Sequence, residues 1–226
     1  GYLLNQRETL EERTYRESHG VLNLLELERG SRILDAPCGY GRHSIALTNL
    51  GYDVTGIDID QDHLIKAYKD SDVKKIHPRF CKRDLRDIGK EYCGQFDAVI
   101  NMFYSFGFFQ LEEENVKVMR EFYNCLKSDG KLLLHTDVSP EMIKNKTTVK
   151  DSIRTLENNH KLVILENYNS QTKRMEGSWE TTDSIGKIIF PRAFYSMRIY
   201  TGDEFKYMAK DVGFKHVDIL GSFHGE

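Results

Sequence analysis

The spacing of hydrophobic and polar positions divides the chain into three parts. In the first, Asn5 to Glu28, leucine and valine collect towards the end of a charged stretch, which predicts one or two leading helices. In the second, Ser31 to Asp137, short apolar runs alternate with stretches of helical spacing, which predicts βαβ units and a parallel sheet with helices on both faces. We predict strands at 31–36, 52–58, 78–83, 96–102 and 131–136, helices at 44–50, 60–68 and 112–126, and a turn at 128–130.

The third part, after Asp137, follows a different pattern. A helix-like stretch to about Leu156 precedes segments joined by polar turns, which is typical of antiparallel strands. These strands are predicted at 161–168, 174–181, 187–190 and 193–201, followed by a helix at 203–210, capped by Thr201 or Asp203, and a last strand at 214–220. We expect one α/β domain over residues 1–226, with a helical lead-in (1–30) and an inserted cap segment (138–192).

Composition limits the partners and the location of the protein. Lys and Arg number 32 against 35 Asp and Glu, so the net charge is -3 and the basic excess typical of nucleic-acid binding is missing. No apolar run approaches the roughly 18 residues of a membrane span, and the N-terminus lacks a signal-peptide pattern. The four cysteines and eight histidines show no zinc-ligand spacing. We therefore expect a cytoplasmic protein with reduced thiols, no metal site and no membrane partner.

A glycine turn directly follows the first predicted strand, in Asp35-Ala36-Pro37-Cys38-Gly39-Tyr40-Gly41. Glycine lets the backbone approach a ligand closely. A nicotinamide fingerprint would place a third glycine where Ser44 stands, and Asp35 would repel a pyrophosphate as a like charge. The turn therefore favours a cofactor with a positive charge and no phosphate, such as S-adenosylmethionine, over a nicotinamide dinucleotide.

Two more acids close the next two predicted strands. Asp58 ends the second and can accept hydrogen bonds from both hydroxyls of a ribose. Asp84 ends the third and can accept from the exocyclic amine of an adenine, although Asp87 lies close by. Taken alone, an acid such as Asp58 is more often a helix N-cap than a ligand, and the glycines are equally a tight turn. Three acids in order at the edge where parallel sheets bind ligands favour the cofactor.

Segments 33–43, 56–60, 83–85, 101–109 and 126–134 resemble the motifs of the class I S-adenosylmethionine-dependent methyltransferases. The loop Pro37 to His43, Arg198 to Thr201 and Arg13-Thr14 are similar to one subgroup, which has a D-x-P-C-G-x-G-R-H first motif. The resemblance implies a Rossmann-like seven-stranded sheet with an antiparallel last strand and a small antiparallel insertion that covers the site. The cofactor-binding residues that it implies are Asp35, Ala36, Pro37, Gly39, Gly41, Asp58, Ile59, Asp84, Leu85, Asn101 and Arg13.

The methyl acceptor is left open by the sequence. We expect in-line transfer to an O or N atom of a small molecule or peptide, because a neutral amine needs little help and a hydroxyl needs a base such as histidine. Tyr104 and His135 are the catalytic candidates, with a structural role for His135 as the alternative. The candidates for the substrate pocket are Ser105, Phe106, Trp179, Arg198, Tyr200 and His224, with core packing as the alternative for the aromatic run 103–109.

Two other functions stay open. A local basic cluster allows methylation of RNA or protein, although a solvated face is the simpler interpretation of it. A cofactor-binding protein without catalysis is the other alternative. The basic cluster consists of Lys74, Lys75, Arg79, Lys82, Arg83 and Arg86.

Overall fold

The computed structural model describes residues 9–103, 105–136, 138–144, 152–156 and 159–223. Two of the predicted site residues, Tyr104 and His224, lie outside the described residues. Over the ranges given, no helix combines the length and the apolar character needed to cross a membrane.

A parallel sheet forms the centre of the molecule, as the alternating part of the sequence predicts. Its strands are β1 (Arg32–Asp35), β2 (Asp53–Asp58), β3 (Arg79–Lys82), β4 (Phe96–Asn101) and β5 (Leu126–Leu134). They pair in the order β3-β2-β1-β4-β5, and every pair is parallel. Because β2 and β4 flank β1 on opposite sides, the chain reverses its direction across the sheet at the end of β1, where such folds bind ligands.

The helices of the described residues are α1 (Leu10–Leu25), α2 (Arg42–Asn49), α3 (Gln61–Lys74), α4 (Glu112–Cys125), α5 (Pro140–Lys144) and α6 (Gly202–Val212). Two of them begin with a reciprocal cap. Thr9 and Glu12 close the start of α1, and Thr201 and Glu204 close the start of α6. In each cap the threonine accepts from the backbone N–H of the glutamate, and the glutamate accepts from the threonine N–H, so two otherwise unbonded donors are satisfied.

Alternate residues of β1 face two hydrophobic clusters, one on each side of the sheet. Ile33 lies with Val21 and Leu25 of α1, whereas Leu34 lies with Phe122 of α4. Burial on both faces explains why the middle strands of a parallel sheet are almost continuously apolar. The polar residues that end these strands are thereby confined to the carboxyl edge of the sheet.

A second sheet is antiparallel and follows α5. Its strands, β6 (Ser152–Thr155), β7 (Lys161–Asn169), β8 (Arg174–Thr182) and β9 (Ile188–Arg198), pair in sequence order. One of its ends packs on α5 through Met175, Met197 and Ile143, together with Val138. The architecture therefore confirms the predicted α/β class, with a parallel central sheet and a separate antiparallel sheet.

Arg174 joins the second sheet to the loop that follows β4. Its guanidinium donates to the backbone carbonyls of Gly107 and Phe109, and to the hydroxyl and carbonyl oxygens of Ser196. The backbone N–H of Arg198 donates to Gly107 O at 2.8 Å as well. These bonds hold the β8–β9 end of the second sheet beside the carboxyl edge of the central sheet.

The number of central strands differs from the expected seven. Five strands pair in this sheet, and the segment predicted as a last strand, 214–220, pairs with none of the strands in the described part of the chain. Phe214 and Val217 of this segment instead pack against the cluster on the α4 side of the sheet. Its apolar spacing therefore reflects side-chain packing and not a strand ladder.

Three predicted boundaries are also corrected. The polar turn at 128–130 lies inside β5, where the register with β4 shifts between Phe96 and Ala98 and accommodates the extra residues. The described residues of the helix-like stretch to Leu156 form the short α5 and then the strand β6, where the ladder with β7 overrides the local spacing. The two strands predicted at 187–190 and 193–201 are the single strand β9, with an irregular register opposite Trp179 and Thr181.

Candidate functional site

Three polar side chains end three neighbouring strands of the central sheet. Asp35 ends β1, Asp58 ends β2 and Asn101 ends β4, and all three are buried. The register pairs Asp35 with Gly56 on one side and with Ile100 on the other, so the three strand ends lie side by side. The predicted acids Asp35 and Asp58 are thus brought together, with Asn101 next to them.

The turn after β1 depends on both of its glycines, for different reasons. Gly41 precedes α2 with φ 74°, and a Cβ there would meet the ring of Phe80 at 2.6 Å and Ala67 at 2.9 Å. Gly39 has φ 53°, but a Cβ there would have no atom within 4 Å. Gly41 is therefore needed for packing, whereas the open space at Gly39 lets a ligand approach the backbone closely.

Asp35 has one oxygen that the described residues do not satisfy. Ser44 donates to its Oδ2 at 2.6 Å, while its Oδ1 is buried without a hydrogen-bond partner in the described part of the chain. Burial raises the pKa of Asp35 to about 7, against the lowering effects of the Ser44 hydrogen bond and of the charge on Arg42. A carboxylate that is buried, half satisfied and costly to ionise is ready to receive a cation.

Asn101 also has a side-chain oxygen that the described residues do not satisfy. Its side-chain amide donates to Ala36 O at 2.7 Å, and its Oδ1 is buried with no donor among the described residues. The bond to Ala36 ties the end of β4 to the start of the glycine turn. Asp35 and Asn101 together present two unsatisfied oxygens at the carboxyl edge, where a positively charged group would find acceptors.

Asp58 is held by the turn itself. Its Oδ2 accepts from the N–H of Gly39 at 2.8 Å, and its Oδ1 accepts from the N–H of Asp60 at 2.8 Å. Asp60, and not Asp58, caps α3. The alternative interpretation of Asp58 as an N-cap is therefore wrong, and the carboxylate sits against the glycine turn. Ile59 follows with an exposed side chain that is available for an apolar contact.

Asp84 already has a cationic partner within the chain. Arg86 forms two side-chain hydrogen bonds to its Oδ2 and a third to its Oδ1, and its backbone N–H donates to Oδ1 as well. These bonds hold the pKa of Asp84 below its ordinary value. Arg86 also pairs with Glu114 of α4, and Leu85 packs partly against the core. Contact of Asp84 with an adenine amine stays a prediction.

A buried ionic network, which the sequence did not reveal, lies between α1 and α2. Glu17 accepts from Arg13 Nε at 2.6 Å, from Arg42 Nη1 at 2.6 Å and from His43 Nε2 at 3.0 Å. Although burial opposes ionisation, the hydrogen bonds from His43 and Arg13 hold the pKa of Glu17 well below its usual range. Burial also lowers the pKa of His43 to about 4, so at neutral pH it is an uncharged donor. The one available signal was the i, i+4 spacing of Arg13 and Glu17.

Phe103 lies under the two arginines of this network. The guanidinium carbon of Arg13 is 4.4 Å from the centre of its ring, and that of Arg42 is 5.2 Å away. The backbone of Phe103 is left-handed, with φ 62°, which is unusual for a residue with a bulky side chain. The ring thus extends the network to the loop that follows β4 and Asn101.

The predicted acceptor-side residues fall into separate places. His135 follows β5, and its backbone N–H donates to Asn101 O at 2.8 Å, so its backbone lies beside one of the predicted cofactor residues. The Ser105 hydroxyl donates to Met102 O and closes a turn of the same loop. Phe106 is buried, with its ring 5.6 Å from that of the buried Tyr200, which agrees with the core-packing alternative for the run 103–109.

The remaining pocket candidates serve other contacts in the structure. The Tyr200 hydroxyl donates to Glu112 of α4, and the Arg198 guanidinium pairs with Glu204 and lies 4.6 Å from the Tyr200 ring. Trp179 lies within the second sheet, opposite Ile164 and Ala193, and is 42% exposed. These three residues belong to the second sheet and its junction with α4 and α6, and not to the cluster around Asp35.

The basic cluster is largely neutralised by neighbouring acids. Arg79 pairs with Asp53, Arg83 with Glu91, and Arg86 with Asp84 and Glu114. Lys74 lies 3.9 Å from Glu11. A surface whose guanidinium groups are already paired offers little positive potential to a phosphate backbone. The solvated-face interpretation of this cluster is the one that the structure supports.

Comparison with known proteins agrees with this arrangement. Residues 33–130, fewer than half of the chain, match a family model described as a methyltransferase domain. The glycine/sarcosine N-methyltransferase of Aphanothece halophytica is 35% identical over 122 residues, which are 54% of this chain and 46% of that protein. The chain spans about half the length of the curated relatives that it matches.

Solved structures share the fold over almost the whole chain. An S-adenosylmethionine-dependent methyltransferase from Clostridium acetobutylicum ATCC 824 has a TM-score of 0.78 at 13% identity, with 97% of this chain and 87% of that chain covered. CalS10, an amino pentose methyltransferase from Micromonospora echinaspora with S-adenosylmethionine bound, has a TM-score of 0.71 at 19% identity, with 97% and 89% covered. Residues 33–130 are thus similar to a methyltransferase domain, in agreement with the predicted enzyme class, and the solved structures show that the fold is that of known S-adenosylmethionine-dependent methyltransferases.

Proposed function

We propose that the protein transfers a methyl group from S-adenosylmethionine to an amine nitrogen of a small molecule. The observation that carries the proposal is the pair of buried, unsatisfied oxygens of Asp35 and Asn101 beside the glycine turn. They suit a ligand that carries positive charge, and S-adenosylmethionine carries both an ammonium and a sulfonium group. An uncharged ligand would leave the ionised carboxylate of Asp35 without compensation.

The residues present fit this cofactor. Asp35 and Asn101 offer acceptors for its amino-acid end, and Gly39 allows the backbone to approach it. Asp58 lies beside the turn, as a ribose-binding acid would. Ile59, Asp84 and Leu85 are our candidates for the adenine side. We extend the assignment to Ala36, Pro37, Gly41 and Arg13 on the resemblance to the D-x-P-C-G-x-G-R-H subgroup.

When bound, the cofactor supplies an electrophilic methyl group on a positively charged sulfur. The chain's own task is to hold the acceptor in line with that methyl group and to exclude water. We assign Asp35 to binding and not to proton transfer, because its unsatisfied oxygen would be occupied by the bound cation. We assign proton removal from the acceptor to His135, whose backbone is bonded to Asn101 on the same rim.

An amine is the preferred acceptor for two reasons. The curated relative is named for transfer to glycine and sarcosine, and CalS10 is named for an amino pentose. An amine is also a sufficient nucleophile once its ammonium form has lost a proton and become neutral, so a single histidine is enough as the base. Transfer to a hydroxyl of a small molecule or peptide is the alternative. It differs because the base must remove the hydroxyl proton during the transfer itself.

The experiment combines binding and turnover. Calorimetry with S-adenosylmethionine should show one site in the wild type and greatly weakened binding in Asp35→Asn. The protein is then incubated with methyl-labelled cofactor and glycine, sarcosine, an amino sugar or a metabolite extract, followed by mass spectrometry of the product. A new N-methyl group supports the proposal, and an O-methyl product would correct its acceptor. Binding without turnover on any acceptor would indicate a non-catalytic cofactor-binding protein.

A macromolecular acceptor is tested in the same assay. Labelled RNA or protein is offered at two salt concentrations, because phosphate contacts lose affinity steeply with salt. We expect no salt-dependent RNA binding, since the arginines of the basic cluster are paired with acids. Methyl incorporation into RNA would replace the small-molecule proposal.

A further inference from the structure

We propose that Glu17 is a positioning residue for the cofactor: its buried carboxylate fixes the Arg42 guanidinium so that Nη2 receives the cofactor's carboxylate. The inference rests on the proposed function and adds to it two residues of the chain, Glu17 and Arg42. Arg42, the first residue of α2, is the arginine of the D-x-P-C-G-x-G-R-H motif, but the sequence alone assigned it no role, and Glu17 lies outside the motif on the leading helix.

The first step of the argument is the burial of Glu17. Its side chain is 2% exposed, although it lies on the first helix of the described chain. It contacts Arg13 four residues before it, and Arg42 and His43 at the start of α2. A buried carboxylate is retained only where its partners compensate its lost hydration. Three donors on two helices meet this requirement and fix the carboxylate in one place.

The second step is the state of Arg42. Its Nη1 is engaged twice, by Glu17 at 2.6 Å and by the Thr14 hydroxyl at 3.0 Å. Its Nη2 is buried and has no acceptor among the residues that the structure describes. Because a guanidinium is planar and rigid, fixing Nη1 also fixes the direction of Nη2. A buried N–H donor without a partner is costly, so this one is suited to a ligand acceptor.

The third step is the place where Nη2 lies. Arg42 immediately follows Gly41, and its charge is close enough to act on Asp35 at the end of β1. Its guanidinium also lies over Phe103, two residues after Asn101. Arg42 therefore lies near the strand ends that carry the two unsatisfied acceptors, Asp35 Oδ1 and Asn101 Oδ1. An ammonium with a carboxylate on the same carbon, as in the cofactor, satisfies both kinds of group.

A merely structural role is the competing explanation, because the network also connects α1 to α2. The two roles make different predictions for ligands that differ in one group. S-adenosylhomocysteine keeps the amino-acid carboxylate, and S-adenosyl-3-thiopropylamine is the same molecule without it. If Glu17 aims Arg42 at the carboxylate, its loss weakens the first ligand and spares the second. If Glu17 only joins two helices, both ligands weaken together.

The test is equilibrium binding of both ligands to the wild type, Glu17→Gln and Arg42→Lys, with thermal unfolding recorded for each protein. We expect both variants to lose about tenfold or more of the preference for S-adenosylhomocysteine, the size of a hydrogen bond to a charged group. Glu11→Gln is the matched control, since it neutralises a carboxylate on the same helix whose side chain is 90% exposed. It should leave the preference unchanged.

Three results would overturn the inference. Equal weakening of both ligands in Glu17→Gln, with a lower Tm, would show a structural role only. Tighter binding of S-adenosylhomocysteine would show that Glu17 competes with the ligand for the arginines. An unchanged preference in Arg42→Lys would remove Arg42 from the carboxylate site. If the wild type binds neither ligand, the proposed function fails and not this inference alone.

A second variant keeps the test valid if Glu17→Gln does not fold. Thr14→Val removes the hydroxyl that accepts from Arg42 Nη1 and leaves the carboxylate in place. We expect a preference lowered about threefold, because one of two bonds that hold the guanidinium is lost. A preference equal to that of the wild type would contradict the proposal.

Discussion

The buried polar side chains of the central sheet and of the second sheet differ in whether other residues of the chain satisfy their hydrogen bonds. In the central sheet, Asp35 and Asn101 are buried at strand ends, and each has an oxygen that the described residues do not satisfy. In the second sheet, the buried Arg174 gives its donors to carbonyl and hydroxyl oxygens of the chain. The apolar residues differ as well, since Phe194 of β9 is 81% exposed whereas Ile33 and Leu34 of β1 are fully buried.

This difference separates groups that fold the protein from groups that bind its ligand. Arg174 is explained by the fold, because its hydrogen bonds go to oxygens of the chain and join the second sheet to the loop after β4. Asp35 is not explained by the fold, because burial opposes its charge and Ser44 satisfies only one of its oxygens. We infer that ligand affinity is concentrated at the carboxyl edge of the central sheet, and that the second sheet acts on it through the loop that Arg174 holds.

The largest effect is expected for Asp35→Asn. Removing the charge should weaken S-adenosylmethionine binding about 100-fold, the upper range for a hydrogen bond to a charged group. The folded pKa of Asp35 lies above its unfolded value, so stability falls as pH rises from the unfolded pKa to about 7, and the loss is complete above that pH. Melting at pH 8 should therefore show a Tm equal to or above that of the wild type. A large fall in the Tm of Asp35→Asn with unchanged cofactor affinity would show that Asp35 serves the fold and not the ligand.

Arg174→Met should have the next largest effect, on stability and not on the cofactor. The variant removes the four hydrogen bonds of the guanidinium, although Gly107 O keeps the Arg198 N–H and Phe109 O keeps the Asn115 amide as donors. The free energy of unfolding should therefore fall by about 2 kcal/mol. Urea unfolding measures the loss, and calorimetry should find an unchanged cofactor affinity. An affinity that falls in parallel with stability would show that the two sheets are not separable.

The pH dependence of cofactor affinity should be a smaller effect than the first two, and it should arise from the ionisation of Asp35. Its pKa of about 7 means that part of the free protein is protonated at neutral pH, and a bound cation favours the ionised form. The association constant should fall about tenfold for each pH unit below about 7 and level off above it. Titration calorimetry from pH 5.5 to 8.5 measures the slope. If Asp35→Asn kept the same slope, another group would be responsible.

The smallest effect is expected for Trp179→Ala. This side chain is 42% exposed on the second sheet, so its loss should change the free energy of unfolding by less than about 1 kcal/mol. Cofactor affinity should stay unchanged. A raised KM for the methyl acceptor, measured once that acceptor is known, would restore Trp179 to the substrate pocket. An unchanged KM would show that Trp179 of the second sheet does not contact the methyl acceptor.

The cofactor region was largely predictable because its chemistry is local in sequence. Asp35, Gly39 and Gly41 lie within seven residues, and the strand that carries Asp35 fixes where they stand. Asp58 was predictable for the same reason, since a strand end points its carboxylate to the same edge. In a parallel sheet, residues that end successive strands therefore lie close together in space.

The network around Glu17 could not be predicted, because its partners are long-range. Arg42 and His43 follow Glu17 by 25 and 26 residues, and only the packing of α1 against α2 brings them together. Phe106 shows the converse: an aromatic residue in a loop was expected in a pocket, but the late residues Tyr200 and Phe205 cover it. Burial by distant segments leaves no periodic signal in the sequence.

Phe103 offers a way to separate two selective pressures. Its left-handed backbone would suit glycine or asparagine better, at a gain of about 1 kcal/mol, yet its ring lies beneath two guanidinium groups. A library randomised at this position and sorted only for folded protein should therefore enrich the smaller residues. The same library sorted for retention of the cofactor should keep the aromatic residue. The ratio between the two enrichments would measure how strongly ligand binding, as opposed to folding, constrains the residue at this position.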